Sequence, residues 1–135
     1  MAIFRKHLTV HREAVFTALE EVQAFLAGCS LTSRTRNAVD VAAEELLSNV
    51  SKYSYSAGAP GDATLVIEVR PDGVRLELTD SGLPFDPTVF PPPPPPALDM
   101  ASGGRGLHLV RSLAGSMRYR RDGSRNVTVV EFPGS

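Results

Sequence analysis

A single cysteine, Cys29, is present in 135 residues, so no internal disulfide can form. That scarcity fits a reducing compartment, and Cys29 is expected to be structural. Long apolar runs are missing too. The opening MAIFRKHLTV holds no continuous hydrophobic h-region, and no segment approaches the ~20 residues of a membrane span. A cytoplasmic protein with no membrane partner is expected. Neither sign of charge is in excess: 14 basic and 15 acidic side chains leave a net charge of -1, which offers no global field for nucleic acid or a membrane surface. No internal repeat is visible. What is there, 42% hydrophobic and 21% charged residues, describes an ordinary globular chain, read as one domain over residues 1–135 with a single core.

The elements separate by period. Residues 3–10 suit a strand, and Ala14, Val15, Ala18, Leu19, Val22, Phe25 and Leu26 then recur at helical spacing up to Gly28. Thr32 or Ser33 suits the cap of a second helix, whose apolar face is Val39, Ala42, Ala43, Leu46, Leu47 and Val50. TLVIEVR and VRLELTD alternate around PDG at 71–73, a hairpin signature. A third helix is expected from about Gly106 to Ala114, followed by strands SMRYRR and NVTVVEF around a turn at Asp122 and Gly123. Short-linked strands favour antiparallel pairing. The expected fold class is α/β (α+β): a two-layer sandwich, its sheet mixed but mostly antiparallel, with three helices on one face.

Three segments carry chemistry. In VAAEELLSNVSKYS, Glu45, Asn49 and Lys52 share an arc of about 60° bordering the apolar stripe. On spacing alone this is a solvated flank with a Glu45 to Asn49 contact. In LTDSGLPFDP, Asp80 ends an alternating strand, Gly82 permits close backbone approach, and Pro84 and Pro87 block a helix. Alone, such a segment reads as a turn. In ASGGRGLHLVRSLAG, Gly103, Gly104 and Gly106 precede an apolar-periodic helix and would present N–H groups to phosphate. This loop lacks the GK[ST] ending of a P-loop and does not follow a first strand.

In this order, the segments resemble the N, G1 and G2 boxes of the GHKL (Bergerat-fold) ATPase superfamily. DSGLPFDP and the continuation GGRGLHLVRSLAGSMRYRRDGSRNVTVVEF are most similar to the bacterial anti-sigma-factor serine kinases, over roughly residues 35–132. The resemblance implies ATP and Mg²⁺ as cofactors. It implies that Asp80 accepts from the adenine amino group, that Gly82 leaves room for the base, and that Phe85 in the G1 tail belongs to the nucleotide site. Asn49 would bind Mg²⁺, with phosphate oxygens and water completing the sphere, and Lys52 would touch phosphate. Gly103, Gly104, Gly106 and the amide of Leu107 would cradle the phosphates, beside Arg105. Glu45 matches the general base of the serine-kinase branch.

Some residues depart from that branch. LLSNVSKYS resembles the N box of sensor histidine kinases, and Tyr53 stands where the serine kinases commonly have His. Glu45, the PFDP tail and the lack of a preceding helix pair with a phospho-acceptor His favour the serine kinases. His7 and His11 are read as surface residues, and His108 as a helix residue with no required role. Residues 87–103 would form the ATP lid, here containing Pro91 to Pro96 as a polyproline rod. Arg118, Arg120, Arg121 and Arg125 are read as a solvated strand face. The function implied is a serine kinase phosphorylating a small antagonist protein in partner-switching regulation, with a sigma factor as a further partner and a homodimer expected. A non-catalytic ATP-binding module, or a stand-alone relative of the histidine-kinase catalytic domain, is the alternative.

Overall fold

The hairpin read from residues 64–80 is the spine of the molecule. In the computed structural model, which describes residues 1–51, 61–89, 110 and 112–134, strands β2 (Asp62–Arg70) and β3 (Gly73–Asp80) pair antiparallel, Leu65 opposite Leu78 and Ile67 opposite Leu76. Their alternation puts Ala63, Leu65, Ile67 and Val69 on the same face as Val74, Leu76, Leu78 and Asp80, and all of them are buried. Pro71 and Asp72 make the turn. At Gly73, φ is +156° and a β-carbon would lie 2.3 Å from the Phe132 carbonyl oxygen, so the position admits only glycine.

Around this hairpin lie β1 (Ala2–Thr9), β4 (Ser116–Asp122) and β5 (Arg125–Pro133), giving the sheet order β1-β2-β3-β5-β4. Every pairing among the described strands is antiparallel, in line with the mostly antiparallel sheet expected. Gly123, at φ +61°, is the first of the two residues between β4 and β5, the position that a type II′ hairpin turn reserves for glycine. β5 is an inner strand, buried continuously from Asn126 to Val130.

Among the described residues two full helices cover one face, α1 (Arg12–Ala27) and α2 (Ser33–Asn49). Their starts are locally determined. The His11 imidazole accepts from the Ala14 N–H at 3.3 Å, and the Thr32 hydroxyl accepts from the Thr35 N–H at 3.2 Å, each satisfying an otherwise orphaned donor. α1 packs on β1, where Phe4 and Phe25 meet with ring centroids 5.5 Å apart. α2 packs on α1, β3 and β5. Leu26, Leu47, Leu65, Ile67 and Leu76 are fully buried between the layers, each contributing about 1.5–3 kcal/mol. Truncating Leu47 to Ala would cost about 2–5 kcal/mol at the helix that carries the site. The half-buried Cys29 donates its thiol to the Phe25 carbonyl at 3.3 Å and packs against this core.

Of the third expected helix, the described part is its last turn, where the Ala114 N–H reaches the Val110 carbonyl at 3.0 Å and Val110 is fully buried. The rest of 106–114 lies outside the described residues.

Candidate functional site

The last turns of α2 follow from its apolar stripe. Asn49 stands seven residues after Ala42, two turns along the same line, so packing the stripe carries its amide inward to 1% exposure. This is deeper than the flank position expected from the wheel. The amide nitrogen Nδ2 donates to two oxygens of Glu45, the backbone carbonyl and carboxylate Oε2, both at 2.7 Å. Those two contacts orient the amide. Its carbonyl oxygen Oδ1 is then left buried without a hydrogen-bond partner, the one such side-chain atom among the described residues. Buried polar atoms are normally satisfied, and an orphan costs about 1–3 kcal/mol. An orphaned amide oxygen is a hard donor of the kind that Mg²⁺ takes, so the residue present fits the metal implied by the sequence. Val50 and Ser51 continue from α2 as a π turn, a departure often found beside functional sites.

The second group forms where β3 ends. Asp80, at 4% exposure, faces the covered side of the sheet. Its Oδ1 accepts from the Gly82 N–H at 2.9 Å and from Asn126 Nδ2 at 2.9 Å, so both bonds described for this carboxylate fall on one oxygen. Asn126, 2% exposed on β5, lies directly opposite Asp80 in the ladder. It donates also to the Leu83 carbonyl at 2.8 Å, and its Oδ1 accepts from the Phe85 N–H at 3.3 Å, the Tyr119 hydroxyl at 2.5 Å and Arg121 Nη1 at 3.1 Å. Arg121 Nη1 further donates to the Gly82 carbonyl at 2.8 Å. Beyond Phe85, which packs against the core, Asp86 accepts from the Thr88 N–H at 2.9 Å and its hydroxyl at 2.6 Å. That cap starts a short 3₁₀ turn, Pro87–Val89.

The structure thus brings Glu45 to Asn49, and Asp80, Gly82 and Phe85 around Asn126. Lys52, Gly103, Gly104, Arg105, Gly106 and Leu107 lie outside the described residues, as do Tyr53, His108 and the proline run 91–96. One expectation is corrected in part. Arg121, read with Arg118, Arg120 and Arg125 as one solvated strand face, is exposed as expected, but its position opposite Asn126 puts it on the other side of the strand from Arg118 and Arg120, where it donates to the Gly82 carbonyl and to Asn126. Arg118 does behave as a surface residue, pairing with Glu131 at 2.8 Å. Asn126 and Tyr119 were missed. The signal for Asn126 was a polar residue heading the inward set Asn126, Thr128, Val130 and Phe132 of an otherwise apolar strand.

A family model described as the histidine kinase-like ATPase domain matches residues 8–132. The chain belongs to this family. It is 33% identical over 101 residues to the serine/threonine-protein kinase BtrW of Bordetella bronchiseptica, a match covering 73% of this chain and 71% of that protein. The fold is shared with the RsbU and RsbW domains of Rv1364c from Mycobacterium tuberculosis at a TM-score of 0.72 and 14% identity, over 99% of this chain. This chain spans 33% of that one. A histidine kinase domain from the Erythrobacter litoralis EL346 blue-light activated kinase matches at a TM-score of 0.55 and 15% identity, covering 90% of this chain and 59% of the other. At family level the protein is a kinase-like ATPase module with an α+β fold. No helix among the described residues is long and apolar enough to cross a membrane.

Proposed function

We propose that this histidine kinase-like ATPase domain is an ATP-dependent protein serine kinase of the anti-sigma-factor type, acting on a small antagonist protein. The observation that carries the reading is the Glu45–Asn49 pair: a carboxylate held 2.7 Å from the amide whose other atom is a buried, unpartnered oxygen. A proton acceptor and a metal ligand are thereby fixed to each other on adjacent turns of one rigid helix. The similarity to a serine/threonine-protein kinase supports the same choice. Asn49 Oδ1 would hold Mg²⁺, which neutralises phosphate charge when bound. Asp80 would accept from the adenine amino group, with Gly82 leaving space for the ring. Glu45 would take the proton from a serine hydroxyl of the antagonist as its oxygen bonds the γ-phosphorus and ADP departs. A sigma factor as second partner and a homodimer belong to the same proposal, and a single monomeric mass in size-exclusion chromatography with light scattering would count against the dimer.

One observation favours a second reading. Because Glu45 Oε2 is engaged by Asn49, the carboxylate in this second reading would orient the amide and take no proton, in a module that binds ATP and a partner but transfers nothing. Radiolabel transfer from γ-labelled ATP to a serine of the cognate antagonist separates the two. Glu45→Gln keeps an acceptor for Asn49 and removes the base, so nucleotide affinity should persist while transfer falls about 10²-fold or more. Transfer at the wild-type rate in this variant removes Glu45 as the base, and no transfer in the wild type establishes the binding module instead.

A further inference from the structure

We propose that Asn126 is a positioning residue for adenine recognition, acting through Asp80 rather than on the base. The inference rests on the ATP-binding reading above and assigns a role to a residue outside the three sequence boxes. A carboxylate turns in a broad, roughly two-fold torsional well, so an unrestrained Asp80 would offer a ligand either oxygen in many orientations. Here Asn126 Nδ2 and the Gly82 N–H both bind Oδ1 at 2.9 Å. The rotation is fixed, and Oδ2 is the oxygen left for an incoming amino group.

The remaining capacity of Asn126 is used up. Both amide hydrogens are committed, to Asp80 and to the Leu83 carbonyl at 2.8 Å, and Oδ1 accepts from Phe85, Tyr119 and Arg121. With three donors on the oxygen side and two acceptors on the nitrogen side, the amide cannot flip without losing all five contacts. It has nothing left with which to read a base. At 2% exposure it is also shielded from water that would compete for Asp80. Arg121 adds an outer brace: Nη1 reaches from the edge strand β4 to the Gly82 carbonyl at 2.8 Å, fastening the loop after Asp80 to the β4–β5 hairpin. An acceptor fixed before binding spares the ligand the cost of ordering it.

The test compares ATP with purine riboside triphosphate, which lacks the 6-amino group, by calorimetry in Mg²⁺ on the wild type, Asp80→Ala, Asn126→Ala and the double variant. Asn126→Ala is expected to weaken ATP about tenfold while changing the purine riboside analogue less than about twofold, and to add nothing in the Asp80→Ala background. Equal weakening of both nucleotides, or an additive loss in the double variant, would overturn the positioning role. If Asp80→Ala leaves the ATP preference intact, the adenine reading itself fails and takes this role with it. Should Asn126→Ala not fold, Tyr119→Phe and Arg121→Ala each remove one brace at the exposed edge strand. They are expected to weaken ATP about two- to fourfold with the analogue unchanged, and an equal effect on both nucleotides would contradict the proposal.

Discussion

Two asparagines are buried beside the candidate site, and they are treated in opposite ways. Asn126, at the end of β5, has every donor and acceptor engaged by the protein. Asn49, at the end of α2, has its nitrogen held by Glu45 and its oxygen held by nothing among the described residues. Burial is the same, 2% and 1%, so exposure does not explain the difference. A saturated amide stabilises the fold and has no capacity for a ligand. An orphaned one costs stability in the free protein and recovers it when a ligand arrives. On the proposed reading the contrast separates scaffold from contact: the strand end would be built before binding, and the helix end would be completed by it.

The largest expected effect lies in chemistry at the helix end. Glu45→Gln should lower phosphoryl transfer about 10²-fold or more with nucleotide affinity preserved, measured by radiolabel transfer beside calorimetry. Next comes the stability of the strand end. Asn126→Leu strands the Phe85 N–H, the Leu83 carbonyl and the Tyr119 hydroxyl, and should lower unfolding free energy by about 2–3 kcal/mol in urea titration. The same substitution at the helix end should cost much less. Asn49→Leu removes the unsatisfied carbonyl together with the two bonds to Glu45, so the losses and the gain offset and the nucleotide-free protein should stay within about 1 kcal/mol of wild type while Mg²⁺-dependent ATP binding is lost. Equal destabilisation by both leucines would remove the distinction. The smallest effect is expected on the sheet surface: Arg118→Ala breaks an exposed ion pair with Glu131 and should change stability by less than about 0.5 kcal/mol. Arg121→Ala should weaken ATP binding even though it comes from the same basic run.

The sequence announced what depends on period. Alternation in 64–80 gave β2 and β3, strand-forming runs around a turn gave β4 and β5, and the i, i+3, i+4 stripes gave α1 and the start and buried face of α2, because burial of one face decides the helices and the central hairpin. Asp80 was legible as a strand-terminal acid followed by Gly82, and the Glu45–Asn49 contact by their spacing of four. Asn126, Tyr119 and Arg121 were not legible as site residues, since their role comes from the register between β3, β5 and β4, pairings that join positions 46 and 5 residues apart. Nor did local pattern show how deep Asn49 would sit. That follows from α2 packing across β3 and β5, a tertiary contact.

The central claim is that Asp80, held by its neighbours, recognises adenine in a nucleotide completed by a cation at Asn49. Calorimetric titration of the wild-type chain with ATP and with GTP, each in Mg²⁺ and in EDTA, addresses it directly. ATP in Mg²⁺ should bind more tightly than GTP by about tenfold or more, because guanine places a carbonyl where Asp80 requires a donor, and chelation should weaken ATP. Equal affinity for ATP and GTP, or ATP affinity indifferent to the metal, would contradict the account.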